Sequence, residues 1–377
     1  MKNFRFKPLY LTLLVNFVVG TFIIIWAPNF LVMMLGRLME GFSVGVLFPS
    51  YQSIILEITP TSQRGTVMGT VGLVMGSALA VGPIISGVLL QFFPWEAIFA
   101  FFLITLTIVF LLALKTVVSP LKIESTKFDF VSVLMSLGII GLLYFINELS
   151  HMTSGSYLNW IILVVSLILL VLFVRRQLRM PQPLLRLDIL SILNFDLGVA
   201  LTSLSYMSLI TVTIIMPLYY QQILGLTPLW SGLALVPAAA VLSWLNRRSG
   251  RLADRIGFKP VIMIGFGLFI VGWAALLLLS GLKNVWVAIL CSIIIESGNA
   301  FAMMPATTLG ANSLTNDLIP HGSSIISTIR QIMGSTAIVV LGDKNFNGVF
   351  LTFLILEIIA IFLVFKIKDT KKVAVTA

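Results

Sequence analysis

The amino-acid sequence predicts an all-α polytopic membrane protein with about twelve transmembrane helices, and three observations carry that prediction. Of 377 residues, 59% are hydrophobic and 10% charged, against roughly a quarter charged in soluble domains. The mean hydropathy is +1.08. The apolar residues gather into long runs separated by polar turns, and the Lys and Arg residues collect on one side of the topology those runs imply. A run that crosses hydrocarbon must satisfy its own backbone polar groups, which a helix does within itself.

Twelve runs are long enough to cross about 30 Å of hydrocarbon. The first, 8–27, follows the segment Met1 to Lys7 with no small-residue cleavage pattern, so it reads as a retained span. The second, 30–56, carries Arg37 and Glu40, and the third, 65–91, is rich in glycine. The fourth is 95–116. The fifth and sixth, 129–148 and 157–175, are bracketed by two longer polar stretches, Lys115 to Lys127 and Arg175 to Asp188. The second stretch, with Pro181 and Pro183 among basic residues, reads as a linker with an amphipathic segment along the headgroups. Six more runs follow at 193–220, 229–246, 259–280, 284–308, 320–342 and 347–366. The expected organisation is a four-helix part (1–120), a two-helix insert with a basic linker (121–190), and a six-helix part with a tail (191–377).

With the N-terminus placed in the cytoplasm, twenty of the 24 Lys and Arg residues fall on inner ends and loops. Lys283 and Lys344 lie outside, and Arg37 and Arg330 lie within spans. This positive-inside pattern accounts for the net charge of +10 without a nucleic-acid partner. Trp26, Trp95, Trp160, Trp230 and Trp286 fall near outer ends as an interfacial belt. Cys291 is the single cysteine, and His151 and His321 fall on opposite sides, so no internal disulfide, metal site or Cys/His catalytic site is expected.

Within the third span, Gly65, Gly69, Gly72, Gly76, Ala80, Pro83 and Gly87 follow one another in steps of four and three. They share one helical face, which lets a second backbone approach closely. Pro83 deprives the Leu79 carbonyl of its donor, which predicts a bend. Between the eighth and ninth spans lies GRLADRIGFK, Gly250 to Lys259. The reading is a short cytoplasmic turn that holds Asp254 near the amides of the following helix, with Arg251, Arg255 and Lys259 as pairing partners. Broken and remade, such a network latches one conformation; a solvated basic loop accounts for the same charges.

GRLADRIGFK resembles the cytoplasmic-loop signature of the major facilitator superfamily, departing from it at Phe258. Gly76 to Gly87, with Gly82 and Pro83, resembles the antiporter motif of that superfamily's fifth helix. Leu35-Gly-Arg37-Leu-Met-Glu40-Gly41 is similar to its fourth-helix signature, with Glu40 where glutamine is usual. Arg330-Gln331-Ile-Met-Gly334-Ser335 is similar to a late-helix element of the fourteen-helix drug:proton antiporters, with Met333 in place of a glycine. The first two of these helix motifs stand two spans early, which suits that fourteen-helix plan read from its third helix onward, with Phe4 to Lys7 as the tail of the first-half loop signature. The connection Leu341 to Gly348 is shorter than that family's usual outward loop.

The resemblance implies a major facilitator fold in a bacterial cytoplasmic membrane with both termini inside, and a monomer that exports drugs or other lipophilic compounds. Its partners would be that substrate and membrane lipid; its only coupling ligand would be the proton, with no cofactor and no enzymatic step. The acid-bearing first helix of the family has no counterpart here. Two other readings therefore stand beside the exporter: a truncated, non-transporting membrane protein, and a carrier for another small solute.

Ionisable residues inside spans are costly and persist mainly when paired or used. Arg37, Glu40, Glu296 and Arg330 are the candidates for proton coupling. Arg37 and Glu40 can pair at three-residue spacing. Glu296 shares a face with Asn299 and Met303, and either replaces the absent acid or pairs with Arg330. Glu357, in the last span, reads as structural. Tyr206, Met207, Met216, Tyr219, Tyr220, Met303 and Met304 offer soft and aromatic contacts for a lipophilic substrate, or ordinary helix packing.

Overall fold

A computed structural model describes residues 5–119, 129–148, 157–181, 183–340 and 345–368. Phe4, Lys127, His151 and Lys344, and with them much of the stretch 115–127, lie outside the described residues. The described residues form helices joined by turns: α1 Phe6–Ile25, α2 Phe30–Ile58, α3 Arg64–Phe92, α4 Glu96–Thr116, α5 Phe130–Ser136, α6 Gly138–Glu148 and α7 Tyr157–Arg179 come first. Then follow α8 Leu193–Gln222, α9 Pro228–Leu233, α10 Val236–Ile256, α11 Phe258–Leu279, α12 Val285–Asn312, α13 Ile319–Val340 and α14 Phe346–Phe365. Among the described residues, eleven helical segments are long and apolar enough to cross a membrane, with α5–α6 and α9–α10 each making one of them. The twelfth expected span is α13, 22 residues long, whose serines, His321, Arg330 and Gln331 keep its composition polar.

Two expected spans are broken. The fifth is interrupted at Leu137, and the eighth at Ala234 and Leu235. Pro237, in the first turn of α10, has no N–H to offer the Leu233 carbonyl, so α9 stops there. At its other end α10 continues to Ile256, about ten residues past the expected boundary.

The chain forms two compact units: Met1–Ile55 with Gly82–Phe128, and Leu56–Val81 with Asp129–Ala377. In the first, α1 packs on α2 through facing glycines. A Cβ on Gly20 would lie 2.8 Å from the Gly36 carbonyl, and one on Gly36 would lie 2.6 Å from the Gly20 carbonyl. That approach brings polar groups together: Asn16 Nδ2 donates to Met39 O and Ser43 Oγ, both at 2.9 Å. Lys7 Nζ donates to Leu114 O at 2.8 Å, tying α1 to the end of α4.

The second unit holds the larger core. Tyr220, Phe266, Phe269, Trp273, Phe350 and Phe353 are fully buried in it, and Trp273 stacks on Phe353 with centroids 5.0 Å apart. Glycines again set the helix spacing, since a Cβ on Gly265 of α11 would lie 2.7 Å from Ala302 N of α12. The helices α5 to α7 form a self-packed element in which Gly138 and Gly141 seat against Ser166. Asp129 caps α5, accepting from Ser132 N and Oγ, and takes a bidentate pair from Arg176 Nε and Nη2 at 3.1 and 3.0 Å. Gln177 Nε2 donates to Ser132 Oγ at 2.7 Å, which closes the network.

Hydrogen bonds from Arg176, then Ser132, hold the Asp129 carboxyl well below the usual carboxylate range. A carboxyl whose value is lower in the folded state stabilises the fold above its unfolded value, about pH 4, and loses that contribution as the pH falls further. D129N is expected to lower the melting temperature at neutral pH, with the gap to the unmodified chain closing as the pH drops. A gap that stays constant with pH would refute this role.

Candidate functional site

The glycine face of α3 sits on α10 within the second unit. Gly65, Gly69, Gly72, Gly76 and Ala80 are buried, and their lack of side chains is what admits α10. A Cβ on Gly69 would meet Asn246 O at 2.5 Å, one on Gly72 Asn246 Oδ1 at 2.6 Å, and one on Gly76 Ser243 Cα at 2.8 Å. Gly250 itself seats on the Gly65 carbonyl. The partner stripe on α10 is therefore Ser243, Asn246 and Gly250, spaced by three and four on one helical face.

Polar contacts reinforce the packing. Asn246 Nδ2 donates to Gly72 O at 3.1 Å, Ser243 Oγ to Leu73 O at 2.7 Å, and the Ser77 and Ser243 hydroxyls lie 2.7 Å apart. Ser249 Oγ donates to Ala300 O at 2.5 Å, which links α10 to α12 on its other side.

At the end of this interface, Asp254 binds the free amides of a helix start. Its carboxylate accepts from Gly65 N at 2.9 Å, Thr66 N at 2.7 Å and Thr66 Oγ1 at 2.6 Å. The first amides of a helix have no intrahelical acceptor and carry the positive end of its dipole, so an anion is favoured there. The amides are those of α3, which corrects the expectation that Asp254 caps the following helix. The signature is also no loop: Gly250 to Ile256 are the last two turns of α10, and only Gly257 turns the chain. Its φ of +98° suits glycine.

The expected partners of Asp254 lie elsewhere. Among the described residues, none of the basic side chains of the signature pairs with it; Arg251 and Arg255 are exposed. Lys259 Nζ donates to Phe365 O and Ile367 O at 2.9 and 3.1 Å, closing the end of α14. Sequence reasoning missed Arg64, which is buried and donates to Thr59 O, Asn312 Oδ1 and Asn316 Oδ1 at 3.1, 3.2 and 2.9 Å. It ties the start of α3 to the α12–α13 turn.

The remaining candidates are scattered. Gly82 is exposed, and a Cβ on it would meet no atom of the described residues within 4 Å, so it takes no part in the close packing that seats Gly76. Pro83 lies inside α3, which runs as one helix to Phe92, and Gly87 is half-buried. In the first unit, Arg37 Nη1 pairs with Glu40 Oε2 at 3.1 Å, and Thr21 Oγ1 donates to Glu40 Oε1 at 2.8 Å. The Arg37 side chain is 53% exposed, a departure from its expected burial, with its guanidinium 4.8 Å from the Phe99 ring.

In the second unit, Arg330 is fully buried, its guanidinium 4.9 Å from the centre of the Tyr206 ring. The Tyr206 hydroxyl donates to Gln331 Oε1 at 3.2 Å. Glu296 is buried and does not pair with Arg330, against one of the two expectations for it. Met207, Met216 and Tyr219 pack into the main core, and Met303 is equally buried.

A family model described as Major Facilitator Superfamily matches residues 1–338. The chain belongs to the major facilitator superfamily. It is 34% identical over 323 residues to the lincomycin resistance protein LmrB of Listeria monocytogenes, covering 84% of this chain and 68% of that protein. It is 26% identical over 347 residues to the multidrug efflux pump SdrM of Staphylococcus aureus, covering 86% of this chain and 75% of that protein. Among solved structures, the human organic anion transporter MFSD10 superimposes with a TM-score of 0.65 at 16% identity, covering 95% of this chain and 76% of that one. The fold is thus that of a membrane transporter of this superfamily, with drug-efflux proteins among its relatives, and these findings point to a transporter rather than an enzyme.

Two outcomes follow from the α3–α10 geometry. Gly76→Leu should push the helices apart and sharply reduce disulfide formation between cysteines placed by S77C and S243C, while Gly82→Leu leaves that yield unchanged; equal yields would refute the close-packing role of Gly76. D254N should speed hydrogen exchange at the Gly65 and Thr66 amides by about tenfold or more, the loss of a charge-assisted bond costing about 1.5–3 kcal/mol. Unaltered exchange would remove Asp254 as the cap of α3.

Proposed function

We propose that the protein is a proton-coupled secondary transporter that exports drugs or other lipophilic compounds by alternating access. The observation that carries this reading is the seating of the glycine face of α3 on α10, closed at one end by Asp254 on the α3 amides. Bare backbone against backbone gives a close contact that needs no side-chain repacking to part and reseat. The carboxylate–amide contact at its end is a localised electrostatic tie, suited to latch one of two states. Resistance and efflux proteins among the relatives support the direction of transport.

In this reading the termini and the Asp254 end of α10 face the cytoplasm, as the distribution of Lys and Arg favours. The helices group as four, two and six along 1–120, 121–190 and 191–377. The carrier acts as a monomer in a bacterial cytoplasmic membrane, with a lipophilic substrate and lipid as its partners and the proton as its coupling ion. Glu296 is the strongest coupling candidate, because it is a buried acid without a cation, whereas Glu40 is neutralised by Arg37.

The full chain reconstituted in vesicles should extrude a fluorescent lipophilic dye, and a protonophore should abolish the extrusion. Efflux that persists in the presence of the protonophore would sink proton coupling, and no efflux of any lipophilic dye would sink the exporter reading.

A further inference from the structure

The exposed face of α10 changes from apolar to basic within one turn. Pro237, Ala240 and Trp244 are exposed along its first half, and Arg247, Arg248, Arg251 and Arg255 along its second. Ser243, Asn246, Ser249, Gly250 and Ala253 are buried on the opposite side. Of the seven tryptophans, five form the expected outer belt and Trp273 is in the core. Trp244, 58% exposed, is the remaining one, and it stands on the half of α10 that leads to Asp254. An exposed indole at the point where a helix face turns basic marks a membrane surface.

The geometry at that point is specific. Long side chains on a helix lean back over the preceding turn, and the Arg248 guanidinium lies 3.3 Å from the centre of the Trp244 ring. Stacking fixes the plane of the guanidinium and leaves its N–H groups, which make no hydrogen bond among the described residues, as a rigid fork of the kind that suits a phosphate. At about 1.5 Å per residue, Arg247 and Arg248 follow Trp244 by about 4 to 6 Å, Arg251 by about 10 Å and Arg255 by about 16 Å. A headgroup layer is about 5 to 8 Å deep. With the indole at the inner edge of that layer, Arg247 and Arg248 stand within it, Arg251 within one side chain's reach of it, and Arg255 beyond it.

The protein supplies no counter-charge for this face. No Asp or Glu lies between Glu57 and Glu96, the stretch that holds α3, and none lies in α9 or α11. On α10 itself Asp254 is taken by the amides of α3, and Glu296 of α12 is buried. None of the four arginines forms an ion pair among the described residues. Arg247 and Arg251, and Arg251 and Arg255, are four apart on one helix, where like charges oppose each other. The positive-inside pattern accounts for basic residues at this end of the helix, and solvent suffices for Arg255. It does not account for a guanidinium stacked flat on an exposed indole.

We propose that Trp244, Arg247, Arg248 and Arg251 form a binding site for an anionic phospholipid. The stacked Arg248 guanidinium takes the phosphate in bidentate fashion, Arg247 and Arg251 add charge from the neighbouring positions, and the indole packs against the glycerol and the first acyl carbons. The bound headgroup relieves the repulsion along the arginine row. It also holds α10 from the side opposite the one seated on α3. The site requires only that α10 reach a membrane surface, and so is independent of the proton-coupled reading.

Native mass spectrometry of the purified full chain in detergent, titrated with phosphatidylglycerol, phosphatidylcholine or inorganic phosphate, reads the site directly. Phosphatidylglycerol should bind about tenfold or more tightly than phosphatidylcholine, and R248Q/R251Q should erase most of that preference. R255Q, outside the headgroup layer, should change it less than about twofold. R248K keeps the charge without the planar stack and should fall between R248Q and the unmodified chain; this milder change keeps the test decisive if the double variant fails to fold. Equal binding of the two lipids would overturn the site, as would an R255Q loss that matches R248Q/R251Q, which would reduce the preference to net charge. Displacement of the lipid by inorganic phosphate at equal concentration would also overturn it, in favour of a site for free anions.

Discussion

The contact of the Gly65 carbonyl with Gly250 is the constraint on which the rest of the α3–α10 arrangement depends. Only where both residues lack a side chain do the two helices come near enough for Asn246 and Ser243 to reach main-chain carbonyls of α3. The same approach sets Asp254 against the first amides of α3. Packing comes first and the polar contacts follow from it, because lipid gives apolar surfaces no reason to prefer each other over acyl chains. Shape is what selects the partner, and hydrogen bonds then fix the register.

Much of this was legible in the sequence because membrane segments are written in long runs. The helices, the small-residue face from Gly65 to Ala80 and the Arg37–Glu40 pair follow from periodicity and spacing alone. The breaks at Leu137 and Ala234 were less visible, since a short interruption within an apolar run leaves the hydropathy unchanged. Pro237 was the available signal for the second break. The site was legible in part: Asp254 was marked as an anion at a helix start, but the identity of that helix is a tertiary fact, set by a residue 188 positions away. Arg64 stood at the head of the glycine helix and read as a topological charge, while its acceptors, Asn312 and Asn316, are too ordinary to flag.

Gly82 shows the limit of motif reasoning. It belongs to the same run as Gly76, yet a side chain there would meet nothing within 4 Å, whereas Gly76 is pressed against Ser243. A signature names a class of helix; the partner surface decides which of its glycines are needed. Glu357 makes the complementary point, since it reads as structural from its place in the last span, and the structure supplies the partner: Ser208 of α8 donates to its carboxyl, and Trp273 of α11 donates to that same hydroxyl.

The one-residue turn at Gly257 joins α10 to α11 with no slack. Lys259, two residues on, grips the end of α14 through two main-chain carbonyls. A change in the tilt of α10 would therefore act as a lever stroke on α11 and, through Lys259, on the last helix. Release of Asp254 from α3 would therefore be felt, through Gly257 and Lys259, at the end of α14.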